Sequence, residues 1–205
     1  LTTLFENFDS YPVDRIVPNC WERLEGTGNQ YIFGTSPASG TRNIYQYSPH
    51  GNSSTYVILP NFTNIADGNS QLRFKARVYQ LDAPGQLIVG YITNISDPNT
   101  FVVLQNLTIS NTSYSSNSEY IVPIIGVPQG ARLAIKNPND GKAYYWDDVY
   151  YESYQLSTVE TNKTKNEFSI YPNPAKDLIK LKNNAEIELL TIYDLTGKTI
   201  KKIKK

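Results

Sequence analysis

The residues best equipped for chemistry are two adjacent carboxylates, Asp147 and Asp148. They stand in the middle of the aromatic stretch YYWDDVYYE, Tyr144 to Glu152. Strands disfavour aspartate, whose short side chain competes for backbone hydrogen bonds. Strict alternation along a strand puts Asp147 on the face of Tyr145, Val149 and Tyr151, and Asp148 on the face of Trp146 and Tyr150. One carboxylate then meets a packed layer, where it needs a cation, a cluster of donors or a proton. A structural Ca²⁺ is the expected cation. Loop amides or an arginine are the alternative partners.

Catalytic chemistry finds little support in these residue types. Glycoside hydrolysis needs two carboxylates flanking one bond. Asp147 and Asp148 are predicted to point apart, and Glu6 and Asp9 lie near the end of a strand. Cys20 could act as a nucleophile only with the single histidine, His50, and nothing in the sequence pairs them. One histidine also removes most zinc sites and most acid–base schemes. HExxH, GxSxG, P-loop and CxxC motifs do not occur. The chain is expected not to be an enzyme.

The elements that must position these residues are strands. Gln71–Gln80, QLRFKARVYQ, alternates cleanly: Leu72, Phe74, Ala76 and Val78 face one way, Arg73, Lys75, Arg77 and Tyr79 the other. Further strands are expected at Phe5–Phe8, Tyr31–Gly34, Thr41–Tyr47, Thr55–Leu59, Leu87–Thr93, Phe101–Ile109, Tyr120–Ile125, Ala131–Lys136 and Ala143–Tyr151, with Pro123 at a bulge or sheet edge. No apolar run repeats at helical spacing. The fold class is all-β, a two-sheet antiparallel jelly-roll sandwich with a small C-terminal β-sandwich appendage. Domains are expected at residues 1–152 and 167–205, joined by a polar linker at 153–166. In the second, short strands are expected at Phe168–Tyr171, Leu178–Leu181, Glu188–Tyr193 and Thr199–Ile203.

Composition narrows the setting. A formal net charge of zero gives no electrostatic reason to expect nucleic acid or a membrane surface. No apolar run reaches the roughly 18 residues of a membrane span. The 16 tyrosines outnumber the 7 phenylalanines, and the single cysteine allows no internal disulfide. The chain reads as an extracellular β-protein. It contains no methionine, so it is expected to be a mature form or a fragment.

Two resemblances follow. FSIYPNPAKDLIKLK and LLTIYDLTGKTIKK resemble the C-terminal sorting domain of the type IX secretion system of Bacteroidetes. The residues that carry this are Tyr171, Pro172, Asn173 and Pro174, then Asp177, then Ile192-Tyr193-Asp194 with Gly197. The resemblance implies export through the outer membrane by that machinery, to the cell surface or beyond; the final strands of such a domain are missing, so it is expected to be incomplete. Over residues 1–152, PNCW at Pro18–Trp21, VGYITNISDPNTF and YYWDDVYYE resemble the MAM-like, cleaved-adhesin jelly rolls of secreted Bacteroidetes proteins, within the concanavalin-like or galactose-binding-like sandwiches. In such folds an acidic residue of the first strand and an aspartate of the last share a structural Ca²⁺. Here that implies Glu6 and Asp147, with Asp148 or Asp9 added.

The expected function is non-catalytic adhesion or binding of a carbohydrate or host protein outside the cell. The alternative is an accessory domain of a larger secreted enzyme such as a peptidase. Sugar-binding sandwiches stack aromatic faces on pyranose rings, and the candidates here are Trp21, Tyr45, Tyr47, Tyr79 and Tyr91, with Arg42.

Overall fold

The computed structural model describes residues 1–24, 28–49, 51, 54–79, 83–154, 169–171, 178, 180–182 and 188–204. The chain divides into two compact units, Leu1–Gln155 and Leu156–Lys205. His50, most of the polar linker, and Pro172, Asn173, Pro174 and Asp177 lie outside the described residues.

The first unit is built of β1 (Leu4–Glu6), β2 (Glu22–Leu24), β3 (Asn29–Phe33), β4 (Asn43–Tyr47), β5 (Thr55–Ile58), β6 (Ser70–Val78), β7 (Gly85–Ile92), β8 (Phe101–Ile109), β9 (Glu119–Ile124), β10 (Arg132–Asn137) and β11 (Ala143–Ser153). One sheet runs β3-β4-β11-β6-β9, and β1 pairs with β11 beyond the point where β4 ends. The other runs β2-β5-β10-β7-β8. Among the described residues the strand pairings in both sheets are antiparallel. The expected sandwich is found. Pro123 lies on β9, a sheet edge, opposite Gln71. Edge strands are where a sheet tolerates proline.

The core lies between the sheets. The inward residues of β6, Leu72, Phe74, Ala76 and Val78, meet Leu87 and Val89 of β7 and Leu133 and Ile135 of β10. At its centre Trp146 touches Phe8 and Phe74 edge-on, at 5.8 and 6.2 Å, and stacks on Trp21 at 6.2 Å. Its indole N–H donates to Gln46 Oε1 at 3.1 Å. The Gln46 amide in turn donates to the Thr55 and Ile135 carbonyls on the opposite sheet, at 2.9 and 3.1 Å. Gln46 thus brings a polar group into the interior with its donors and acceptor used.

Alternation holds along β6 and breaks along β11. Trp146, Val149 and Tyr151 all belong to the core, which strict period-two geometry forbids for Trp146 and Val149. The β6–β11 register slips between Asp147 and Tyr150, and Asp148 takes the left-handed φ of 49°. This β-bulge adds one residue to β11 and re-phases the strand. Both aspartates therefore leave the core side, and the expectation that they face opposite ways is corrected.

In the second unit, β12 (Ser169–Tyr171) pairs with β13 (Lys180–Lys182), and β14 (Leu189–Tyr193) with β15 (Thr199–Lys204). The β14–β15 turn is organised by Asp194. Its Oδ1 accepts from the Thr196 amide and hydroxyl and the Lys198 amide, at 2.9, 2.6 and 3.0 Å. Gly197 has a φ of 83°, where a side chain would be strained.

Candidate functional site

The outer face of the six-stranded sheet carries a row of aromatics fixed by strand register. Tyr31 of β3 stands opposite Tyr45 of β4, Tyr45 opposite Tyr145 of β11, and Tyr145 opposite Arg77 of β6. Residues directly opposite one another share a face, so the row crosses four strands in a line. Ring centroids are 5.4 Å apart for Tyr31–Tyr45 and 5.3 Å for Tyr45–Tyr145, and the Arg77 guanidinium lies 4.0 Å over Tyr145. Phe33 and Tyr47, each two residues along a strand from a row member, widen the patch. Phe33 is 5.7 Å from Tyr45, and Tyr47 stacks on Tyr45 at 6.5 Å. Tyr79 lies 6.3 Å from Tyr145 and is 42% exposed.

The electrostatics keep this surface neutral but polar. Burial, with Tyr145, Tyr31, Tyr47 and Tyr79 close by, pushes the Tyr45 hydroxyl up to about 12. Burial likewise raises Tyr145, against the lowering effect of Arg77. The hydroxyls stay protonated at neutral pH, able to donate and accept hydrogen bonds. Arg77 is only 6% exposed. Its guanidinium donates to the Thr35 carbonyl at 3.2 Å and the Thr112 carbonyl at 3.4 Å, and its Nε is buried without a partner.

Among the predicted ligand residues, Tyr45 and Tyr47 are in this patch and two others are not. Trp21 is 5% exposed and packs on Phe8 and Trp146, so it is a core residue and no sugar can reach its face. Arg42 is tied to backbone, donating to the Tyr11 and Thr41 carbonyls at 3.3 and 2.9 Å; the cation in the row is Arg77. Tyr79 joins the patch, whereas Tyr91 stands on β7 of the other sheet. Sequence reasoning missed Tyr31, Phe33, Tyr145 and Arg77. The available signal was aromatics two apart on neighbouring strands, Tyr31/Phe33 and Tyr45/Tyr47. Cys20 is an exposed free thiol.

The predicted calcium ligands do not converge. Glu6 is register-paired with Val149, a core residue, so its side chain lies on the inner face of the sheet, where Oε1 accepts from the Phe8 amide at 2.7 Å. Burial raises its carboxyl, and the neighbouring charge that adds to this is Asp9. Asp147 lies on the other face. Its Oδ2 accepts from the Ala38 and Ser39 amides at 2.8 and 3.2 Å, and its Oδ1 from the Asp148 amide at 2.7 Å. Asp148 faces Lys75 Nζ at 3.0 Å and the Ser39 hydroxyl at 2.5 Å. Ca²⁺ takes six to eight oxygens. Among the described residues no group of three or more His, Cys, Asp or Glu side chains could hold a metal. Glu6, Asp147 and Asp148 do not fit a shared calcium cage: loop amides, a hydroxyl and a lysine ammonium occupy the aspartates. The chain is expected to melt at the same temperature in EDTA and in excess Ca²⁺. A calcium-dependent rise, the mark of a ligand of the folded state, overturns this.

Asp9 braces the same loop from its other side. It accepts from the Thr41 and Arg42 amides at 2.6 and 3.0 Å, and its carboxylate fills the space a Cβ on Gly40 would need. The loop held by Asp9 and Asp147 carries Thr35, whose carbonyl receives Arg77 and Asn43. The carboxylates that promised chemistry thus position the aromatic row.

In the second unit Tyr171 ends β12 opposite Lys180, and Gly197 makes the β14–β15 turn. Residues 169–205 match the family described as the secretion system C-terminal sorting domain. The expected type IX sorting domain is borne out by this match. In structure, the chain is similar to the K2 cleaved adhesin domain of Lys-gingipain, with a TM-score of 0.56 and 15% identity over 73% of this chain and 97% of that one. The K1 domain of the same protein from Porphyromonas gingivalis W83 gives 0.50 and 15%, over 74% and 98%. The CBM22-1 xylan-binding domain of Paenibacillus barcinonensis Xyn10C gives 0.53 and 11%, over 75% and 95%. These likenesses show the fold, a two-sheet jelly roll that those domains share. No curated protein matches the chain in sequence. Among the described residues no helix is long and apolar enough to cross a membrane.

Proposed function

We propose that the chain is an exported glycan-binding module. The observation that carries this is the aromatic patch on one sheet surface, where Tyr31, Phe33, Tyr45 and Tyr47 reach solvent and the buried Tyr145 and Arg77 back them. Pyranose rings offer apolar C–H faces to stack on such rings and equatorial hydroxyls to bond their edges. A half-exposed aromatic surface edged with tyrosine hydroxyls suits that amphipathic ligand better than it suits a second hydrophobic protein face. The sorting domain supplies the route: export by the type IX machinery to the cell surface or beyond. The fold shared with a xylan-binding domain and with cleaved adhesin domains supports the reading.

The test is a glycan array followed by calorimetry on the full chain. Tyr45→Ala is expected to weaken binding about tenfold, by removing the central ring from the row. Tyr45→Phe is expected to keep most of the affinity. Unchanged binding by Tyr45→Ala with the fold intact overturns the proposed surface.

A further inference from the structure

Edge strands carry a row of unpaired N–H and C=O groups, and natural sheets protect them with charge, proline, brevity or a covering segment. Most edges of this sandwich follow that rule. β1 and β2 are three residues long, and β2 carries Glu22 and Arg23. β3 is covered: Asp14 bridges to Ile32, and the Ile32 amide donates to the Ile16 carbonyl at 2.9 Å. β9 carries Glu119 and Pro123. The exception is β8, nine residues long, FVVLQNLTI, with no charge and no proline. Among the described residues it pairs with β7 alone, and Val102, Val103, Gln105, Asn106 and Thr108 are exposed along it. We infer that β8 pairs antiparallel with β8 of a second copy of this chain, joining two five-stranded sheets into one.

Register fixes where the two strands meet. Against β7, Leu104 is an extra residue, a bulge that interrupts the edge, and from Gln105 to Ile109 the pairing is regular. Within this stretch the Thr108 carbonyl accepts from the Tyr120 hydroxyl at 3.3 Å, so it points away from β7. Backbone groups alternate in direction along a strand, so those of Asn106 point outward too. A two-fold axis at Leu107 then sets Asn106 of each copy against Thr108 of the other, and the facing residues exchange N–H and C=O bonds. Tyr120 does not close the edge. Its hydroxyl is also shared with Asn111 Oδ1, at the shorter 3.1 Å, and a carbonyl oxygen accepts two bonds.

Charge and side chains favour a second copy as the occupant. The strand is uncharged, so pairing with itself sets no like charges opposite one another. The formal net charge of the chain is zero, so two copies approach without net repulsion. The exposed Asn106 and Thr108 side chains face each other across the axis, an amide against a hydroxyl, and can hydrogen-bond. A charged peptide strand finds no ion pair on this edge. The regular stretch is short, so the contact is small and the dimer weak, with a dissociation constant on the order of micromolar. Such a dimer carries two copies of the aromatic patch and holds a repeating polymer by avidity. The pairing itself does not depend on the glycan-binding reading.

The test is sedimentation equilibrium on the full chain over a wide concentration range. The wild type is expected to pass from monomer to dimer as concentration rises. Asn106→Pro deletes an N–H that points away from β7, so it is expected to leave the urea midpoint near the wild-type value and to raise the dissociation constant at least about tenfold. Thr108→Lys, a second variant at an exposed position, is expected to do the same by placing a charge on the edge. Combining Thr108→Lys with Asn106→Asp sets opposite charges face to face, and dimerisation is expected to return and to weaken with added salt. A wild type that stays monomeric throughout overturns the inference. A dimer that both single variants leave unchanged also overturns it, since the contact then lies elsewhere. A double variant that stays monomeric overturns the placement of the axis at Leu107.

Discussion

Replacing Trp146 with alanine is expected to destabilise the sandwich by about 3–5 kcal/mol, the cost usual for emptying the space of a large core aromatic. Trp146 is fully buried and contacts Phe8, Trp21 and Phe74, so no neighbour can fill the space without giving up its own packing. A second loss is polar. Gln46 Oε1 accepts the indole N–H, and the amide of the same side chain donates to the Thr55 and Ile135 carbonyls across the core. Orphaning such an acceptor costs about 1–3 kcal/mol. Trp146→Phe separates the two effects, since it keeps most ring contacts and loses the N–H. Urea unfolding of the full chain reads both as shifts in midpoint at constant slope. A loss below about 1 kcal/mol for Trp146→Ala means the core relaxes around it. Equal losses for the two variants place the energy in the hydrogen bond.

Most of the sandwich was legible in the sequence because β6 and its neighbours obey period two, and Gly, Pro, Asn and Asp mark the turns between them. The short β2 was not, because Glu22-Arg23-Leu24 has too few residues to show a period. The site was legible in part. Tyr45 and Tyr47 stand out as alternate aromatics, but their partners are set by register between strands far apart in the chain, and Tyr31 meets Tyr145 across Tyr45 only once β3, β4 and β11 are in order. The paired aspartates misled for a definite reason. A bulge is a local break in periodicity, and the alternation rule assumes none. Asp148 at a positive φ was a clue in principle, because aspartate tolerates the left-handed region better than most residues. Once β11 is re-phased, Trp146 and Val149 both point inward, Asp147 and Asp148 both point away, and Glu6 is left on the opposite side.

Asp147 should therefore act as a brace for the binding face, and its removal is the second large effect expected. Asp147→Ala strips the acceptor from three amides, those of Ala38, Ser39 and Asp148. Each buried donor left unpaired costs about 1–3 kcal/mol; with water reaching some of them, the sum is expected near 3 kcal/mol. Asp147→Asn keeps one acceptor oxygen and is expected to lose roughly half as much. The pH dependence has a definite sign. Burial, opposed by the Ser39, Asp148 and Ala38 amides and reinforced by the Asp148 charge, pushes the Asp147 carboxyl up to about 7. The unfolded chain titrates near the ordinary carboxylate value of about 3.9. Between these values the folded state holds a proton the unfolded state has lost, so stability falls as pH rises from about 4 to 7 and levels off above. Burial raises Glu6 in the same direction, so the difference between wild type and Asp147→Asn isolates this residue: the variant should show a shallower decline. A wild-type profile that rises over this range, or an identical slope in the variant, contradicts the assignment. Function should follow stability here. The loop that Asp147 holds presents the Thr35 carbonyl to Arg77 and Asn43, and Arg77 supports Tyr145 from 4.0 Å. Loosening the loop frees the cation beneath the row, so Asp147→Ala should weaken glycan binding even where the chain remains folded, although Asp147 itself is buried and touches no sugar.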